Sequence, residues 1–298
     1  MKRLFACAAA LLLIGAPTVT AHAAEPCPSG LAEGKRITVL VEGDGPDVVL
    51  IPGLSSPRAV WDATAERLKT RYRLHRVQIR GFGDAAGINA AGPLLEPVMQ
   101  ELTDYIDDCI TDQGRPAPAL VGHSLGGLTA MMIAARAPAQ VGKLMVVDSL
   151  PFIGLLFGPA TTVDMVRPQA AALQTAFAAQ DNAEIDDRTA QTMSATDEGR
   201  AQVRDWTRTA DAKVSAQLFY DGMTTDIRPE LTAITAPLTM LYPFDPSVMS
   251  AGTVDGLYQG AFAAAKTAKL VRIDGSRHFI MVDQPALFAA AVDNLLTE

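Results

Sequence analysis

The stretch Gly122-His123-Ser124-Leu125-Gly126-Gly127 constrains this chain more than any other. A short apolar run, Ala119-Leu120-Val121, leads into it, and a helical stretch from Leu128 to Ala135 leads out. A strand, a sharp turn and a helix, with serine at the apex between glycines, is the pattern of a nucleophile elbow. Ser124 sits on a strained turn in such an elbow, so that its hydroxyl projects clear of the sheet. Gly122 and Gly126 lack the Cβ atoms that would collide where strand and helix converge.

A chain of 298 residues suffices for one large α/β domain, or for a core domain carrying an insertion. Hydrophobic residues at 49% and charged residues at 19% describe a globular protein with a substantial core. The net charge of −8 offers no basic stripe to neutralise phosphates, which argues against a nucleic-acid partner.

The N-terminus reads as a signal peptide over residues 1–23. Lys2 and Arg3 form a positive start, Leu4 to Gly15 a small apolar core, and Ala21-His22-Ala23 has the A-x-A form of a cleavage site. Cleavage is expected after Ala23, with a periplasmic or secreted destination. The apolar run is shorter than the roughly 20 residues a membrane span needs, so no stable membrane anchor is expected. Leu4-Phe5-Ala6-Cys7 faintly resembles a lipoprotein box but comes too early, with no apolar region ahead of it. Cys27 and Cys109 remain in the mature chain. In an oxidising compartment they can form a disulfide, or stay as one thiol on a tail and one in a helix.

Beyond the tail, strand and helix alternate. Ile37 to Glu42 and Asp47 to Ile51 are β-rich runs around a Gly-Asp-Gly-Pro turn. Pro57 to Thr70 has helical spacing, with Trp61, Ala65 and Leu68 on one face. Tyr72 to Ile79 is the next strand, followed by the loop Arg80-Gly81-Phe82-Gly83. Leu94 to Ile110 is a helix with Leu95, Val98, Leu102, Tyr105 and Ile106 inward. Ala119 to His123 and Lys143 to Val147 are buried strands. Continuous apolar strands predict a mostly parallel sheet covered on both faces, in an α/β protein.

The alternation breaks between Ser149 and about Ile234, where Ala170 to Gln180 and Gly199 to Tyr220 are helical candidates. This segment opens with the apolar cluster Phe152, Ile153, Leu155, Leu156 and Phe157, and Phe177, Trp206, Leu218 and Phe219 follow. It is expected to form a helical lid over residues 149–234, splitting the core into residues 24–148 and 235–298. The pattern resumes with Leu238 to Tyr242, a helix around Val254 to Ala265, Leu270 to Ile273, and a last helix from Pro285.

A serine hydroxyl needs a base, and the base needs an orienting group. The mature chain offers three histidines. His75 lies mid-strand and reads as a solvated or packed side chain. His123 precedes the serine on its own strand and points away from it by alternation. His278, on the loop after the last strand, is the expected base. Asp245, just past the strand that follows the insertion, is the expected acid. Asp148, at the end of the strand after the elbow helix, is its competitor, and Asp274 is too near the base along the chain. The expected oxyanion donors are the backbone N–H groups of Leu125 and of Leu54, in Ile51-Pro52-Gly53-Leu54-Ser55. No metal or cofactor is expected, since neither a Cys/His cluster nor a phosphate loop occurs.

With these motifs in order from Ile37 onward, the chain resembles the α/β-hydrolase superfamily in its lidded, single-domain, esterase-like branch. The resemblance rests on Pro52-Gly53, Arg80-Gly81-Phe82-Gly83, the elbow, Asp245, and Gly275-Ser276-Arg277-His278 with Asp283-Gln284-Pro285 after it. The chain departs from the family at two points. Pro52 stands where relatives commonly carry His, and Tyr-Pro-Phe precedes Asp245 where they usually carry Gly. The serine nucleophile sets it apart from the dehalogenases and epoxide hydrolases of this fold, which attack with aspartate. The resemblance implies hydrolysis of a small or medium carboxylic ester, its apolar acyl or alcohol group sheltered by the lid, through an acyl-Ser124 intermediate. The same triad can serve a thioester, lactone, amide or β-diketone C–C bond. A non-catalytic binding protein of this fold is the alternative from another class.

Overall fold

The computed structural model describes Cys27 and residues 29–297. The expected signal peptide and its expected cleavage site lie outside the described residues. In chain order the elements are β1 (Gly30–Glu33), β2 (Ile37–Glu42), β3 (Asp47–Ile51), α1 (Asp62–Leu68), β4 (Arg73–Ile79), α2 (Leu95–Cys109), β5 (Ala119–His123), α3 (Leu125–Arg136) and β6 (Lys143–Val147). There follow α4 (Val163–Ala178), α5 (Asp187–Met193), α6 (Asp197–Arg208), α7 (Ala212–Met223), β7 (Leu238–Phe244), α8 (Ala251–Ala261), β8 (Ala268–Asp274), α9 (Ile280–Asp283) and α10 (Pro285–Thr297).

The eight strands form one sheet in the order β1-β2-β4-β3-β5-β6-β7-β8. β2 pairs antiparallel with both β1 and β4, and from β4 to β8 the strands pair parallel along that order. The central strands β3, β5 and β6 are mostly apolar because each has two covered faces, whereas buried β4 also carries Arg73, His75, Arg76 and Gln78. On β3, Val49 and Ile51 pack into the cluster that α2, α3 and α8 cover, while Val48 and Leu50 pack with Trp61, Ala65 and Leu68 of the opposite layer, which α10 completes. The period-two alternation of strand side chains sends neighbouring residues to these two layers.

Between β6 and β7 the regular structure is helical, as expected. It has a small core of its own, in which Phe152, Val166 and Ala170 meet Met223 of α7. Two details differ from the sequence reading. α4 begins at Val163, before Pro168 rather than after it. The expected helix from Gly199 to Tyr220 is two, because Asp211 caps a new start. Its carboxylate accepts from the N–H groups of Lys213 and Val214 at 2.8 and 3.0 Å, and its own N–H donates to Gly81 at 2.7 Å.

β1 was not foreseen; it is a short edge strand with alternating partial exposure. Cys27, just before it, is disulfide-bonded to Cys109 at the end of α2, with Cα atoms 5.4 Å apart. His75 is fully buried rather than solvated. Its Nε2–H donates to Asp47 at 2.8 Å and its Nδ1 accepts from the Tyr105 hydroxyl at 2.7 Å.

Candidate active site

Parallel strands point their carboxyl ends the same way, so the loops after β3, β5, β6, β7 and β8 gather at one edge of the sheet. Those loops carry Leu54, Ser124, Asp148, Asp245 and His278 respectively. All five line one cavity of about 610 Å³, within the size range of small-molecule sites.

Ser124 occupies φ 52°, ψ −120° between β5 and α3. Its conformation holds because the turn leaves no room to relax: a Cβ on Gly122 would fall on the Gly126 carbonyl, and one on Gly126 on the carbonyls of Ile51 and Pro52. Ser124 N–H donates to Val147 at 2.9 Å. Among the described residues, the non-glycine residues with positive φ are Ser55, Ser124 and Asp148. Each lines the cavity, and backbone strain of this kind concentrates at functional sites.

His278 and Asp148 are paired. The imidazole Nδ1–H donates to Asp148 Oδ2 at 2.6 Å, so that Nε2 is the ring nitrogen not engaged by Asp148. The second oxygen, Oδ1, accepts from the Tyr258 hydroxyl of α8, and Tyr258 stacks on Tyr242 with centroids 4.5 Å apart. Burial pushes the Asp148 carboxyl up, but the His278 imidazole and the hydrogen bonds from His278 and Tyr258 outweigh it. The carboxyl therefore lies below its ordinary range. Burial, with the Asp148 charge beside it, pushes the Tyr258 phenol well above its usual value, so it remains a donor.

Asp245 does not reach the imidazole, which corrects the acid expected from the sequence. Its Oδ2 accepts from Arg277 Nε at 2.8 Å, and its Oδ1 accepts from the N–H and hydroxyl of Ser247 at 2.8 and 2.7 Å. These bonds, those of Ser247 first, hold its carboxyl below the usual range. Asp245 thus closes its own turn and anchors Arg277, while Asp148, one strand nearer the elbow, faces His278.

His123, expected to point away from Ser124, also lines this cavity, and its ring packs against those of His278 and Phe279, at centroid distances of 4.6 Å each.

The N–H of Leu125 belongs to the first residue of α3, where the helix supplies no internal acceptor. The loop after β3 runs against the nucleophile, since a Cβ on Gly53 would lie 3.1 Å from Ser124 Cβ. Ser55, in the same loop, donates its hydroxyl to Ser215 of α7 at 2.9 Å, both side chains being buried. The lining includes the apolar side chains of Leu125, Leu128, Leu150, Leu218, Phe219 and Met223, and Thr189, Thr192, Thr207 and Arg277 supply polar groups. Within the apolar cluster expected to open the insertion, Phe152 is buried, whereas Ile153, Leu156 and Phe157 are exposed. Among the described residues no cluster of His, Cys, Asp or Glu is arranged to hold a metal ion.

Comparisons with known proteins agree with this architecture. Over 267 residues, 87% of this chain and 99% of the relative, it is 26% identical to the pimeloyl-[acyl-carrier protein] methyl ester esterase of Nitrosomonas europaea. The Vibrio vulnificus enzyme of the same name is 39% identical over 111 residues, 37% of this chain, and the match spans 39% of that relative's length. A thermophilic esterase from Thermogutta terrifontis superposes with a TM-score of 0.71 at 17% identity, over 90% of this chain and 98% of that one. The family described as "Alpha/beta hydrolase family" matches residues 48–291. A match over this much of the chain, on a sheet of this order with a serine elbow, makes it a member of the alpha/beta hydrolase family.

Proposed function

We propose that this chain is an exported serine hydrolase that cleaves a small or medium carboxylic ester through an acyl-Ser124 intermediate. The observation that carries the reading is the 2.6 Å bond between His278 and Asp148 in the cavity that also holds Ser124 at its strained elbow. The names of the relatives support an ester as the bond. The carrier-protein substrate in those names is theirs.

In this mechanism His278 Nε2 takes the Ser124 hydroxyl proton as Oγ bonds to the ester carbonyl carbon. The carbonyl oxygen becomes an oxyanion, which the N–H groups of Leu125 and Leu54 stabilise. Asp148 holds the Nδ1–H tautomer and balances the imidazolium. Collapse breaks the bond to the alcohol oxygen, which leaves with the proton from Nε2. Water then repeats the sequence: Nε2 takes its proton, its oxygen bonds to the acyl carbon, and the Oγ–acyl bond breaks as Oγ recovers the proton. The apolar lining, Leu128, Leu218 and Phe219 among it, suits an apolar acyl group. In this reading residues 149–234 act as a lid.

Export is supported by the leader pattern of residues 1–23 and by the Cys27–Cys109 disulfide, which persists in oxidising compartments.

The test is hydrolysis of p-nitrophenyl esters from acetate to palmitate by the mature protein and its Ser124→Ala variant, with fluorophosphonate labelling of both. Serine-dependent turnover with a chain-length optimum is expected, together with loss of labelling in the variant. The variant should lose about 10⁶-fold in kcat, retaining only what binding and the oxyanion donors provide. Turnover that survives the substitution refutes the nucleophile, and labelling at Ser124 without turnover of any ester refutes the bond.

A further inference from the structure

His123 is fully buried, yet only one of its ring nitrogens is used. Nε2 lies 3.0 Å from the backbone carbonyl of His278. A carbonyl can only accept, so Nε2 carries the proton and donates, and Nδ1 is the bare nitrogen of a neutral ring. Among the described residues Nδ1 has no hydrogen-bond partner. It faces the loop after β3, where a Cβ on Gly53 would lie 2.9 Å away. Burial, followed by the nearby His278, pushes the ring's pKa down to about 3, consistent with that neutral form.

A buried imidazole with an orphaned nitrogen is costlier than an apolar side chain of similar size. Packing alone therefore does not explain a histidine here. What it adds is a contact at the junction of three parts of the site. It belongs to the elbow strand, its Nδ1 edge abuts the oxyanion loop at Gly53, and its Nε2–H holds the residue that carries the base. Its ring also packs, tilted by 48° and 49°, against those of His278 and Phe279. The side chain of His278 is tethered by Asp148, and His123 tethers the backbone from which that side chain springs.

We propose that His123 is a positioning residue that locks the His278 loop to the nucleophile elbow through its Nε2–H bond to the His278 carbonyl. The proposal rests on the reading of Ser124 and His278 as nucleophile and base. His123 itself transfers no proton.

The experiment compares His123→Phe, His123→Gln and His123→Met with the parent and with Ser124→Ala, on p-nitrophenyl butyrate and by thermal unfolding. Phe keeps the ring contacts without the donor, and should lower kcat about tenfold to a hundredfold while KM moves less than about twofold, the cost of a base held loosely. Gln offers an amide N–H for the same carbonyl and should recover most of that loss. If Phe does not fold, Gln and Met carry the test as near-isosteric side chains with and without the donor, and Met should fall at least about fivefold below Gln in kcat. The proposal is overturned if Phe keeps kcat within twofold, if Gln falls as far as Phe or Met, or if the loss appears in KM. Turnover by Ser124→Ala would instead overturn the hydrolase reading itself, so the two failures are distinguishable.

Discussion

At the residue scale, the decision between Asp148 and Asp245 turns on what each carboxylate is already bonded to. Both follow a parallel strand at the carboxyl edge of the sheet, so chain order alone admits either. Asp245 stands in Asp-Pro-Ser, a turn in which an aspartate satisfies itself on the N–H two residues on. Arg277, next to His278 in the chain, takes its other oxygen. Asp148 has no such local partner and spends its two oxygens on His278 and Tyr258. That Ser124 and His278 share one cavity was legible because elbow glycines and strand-end loops leave marks in sequence. That His278 pairs with Asp148 was not, because a positive φ at Asp148 and a tyrosine 110 residues away leave none. Asp148→Asn should cost about 10⁴-fold in kcat by disfavouring the Nδ1–H tautomer and the imidazolium. Asp245→Asn, which loosens only the Arg277 contact, should cost less than about tenfold, within the range of a shifted neighbour rather than a lost partner. Steady-state kinetics of the two variants on one ester decide this, and a larger loss for Asp245→Asn would return the role to it.

At the scale of elements, the helical insertion is bound to the loops whose cavity it helps line. The loop between β8 and α9 carries His278, and it is stitched to the segment between α5 and α6. Phe279 N–H donates to the Met193 carbonyl at 2.9 Å. Asp283 Oδ1 accepts from the Ser194 hydroxyl at 2.5 Å, and its Oδ2 accepts from Ala195 N–H at 3.0 Å and Arg277 N–H at 2.8 Å. On the other side Ser55 and Ser215 join the oxyanion loop to α7. The strands and main helices of this frame could be read from apolar runs and helical spacing, because burial on two faces is a property of composition. The joints could not, since each depends on residues far apart in the chain. Asp283→Ala removes the acceptor for three donors at once, so stability should fall by about 1–3 kcal/mol and kcat by about tenfold as the base loop loosens. Denaturant unfolding and kinetics on the same preparation check both. A loss of stability with kcat unchanged would mean that His278 is held without this joint.

At the scale of the whole molecule, the end of the sheet farthest from the site has its own fastening. Cys27 and Cys109 close a loop of sequence separation 82, and Arg73 donates to the Cys27 carbonyl from β4. Arg73 also lies 3.7 Å from the buried Asp47 carboxylate, which takes His75 at 2.8 Å and Arg115 at 2.6 Å, while Tyr105 caps the imidazole. The sequence permitted the disulfide without requiring it, because pairing depends on where α2 ends relative to the chain entering β1. Reading His75 as solvated or packed could not reveal that its partners arrive from β3 and α2. Cross-linking so long a loop restricts the unfolded chain, so Cys109→Ser should lower stability by about 2–5 kcal/mol. Its kcat should stay within twofold, because β5, β6 and β8, not β1 and α2, carry Ser124, Asp148 and His278. Denaturant unfolding of parent and variant, each with and without reductant, tests this. Reductant should bring the parent down to the variant and leave the variant unmoved. A parent indifferent to reductant would remove the disulfide as a support for stability and, with it, the chemical argument for an oxidising destination.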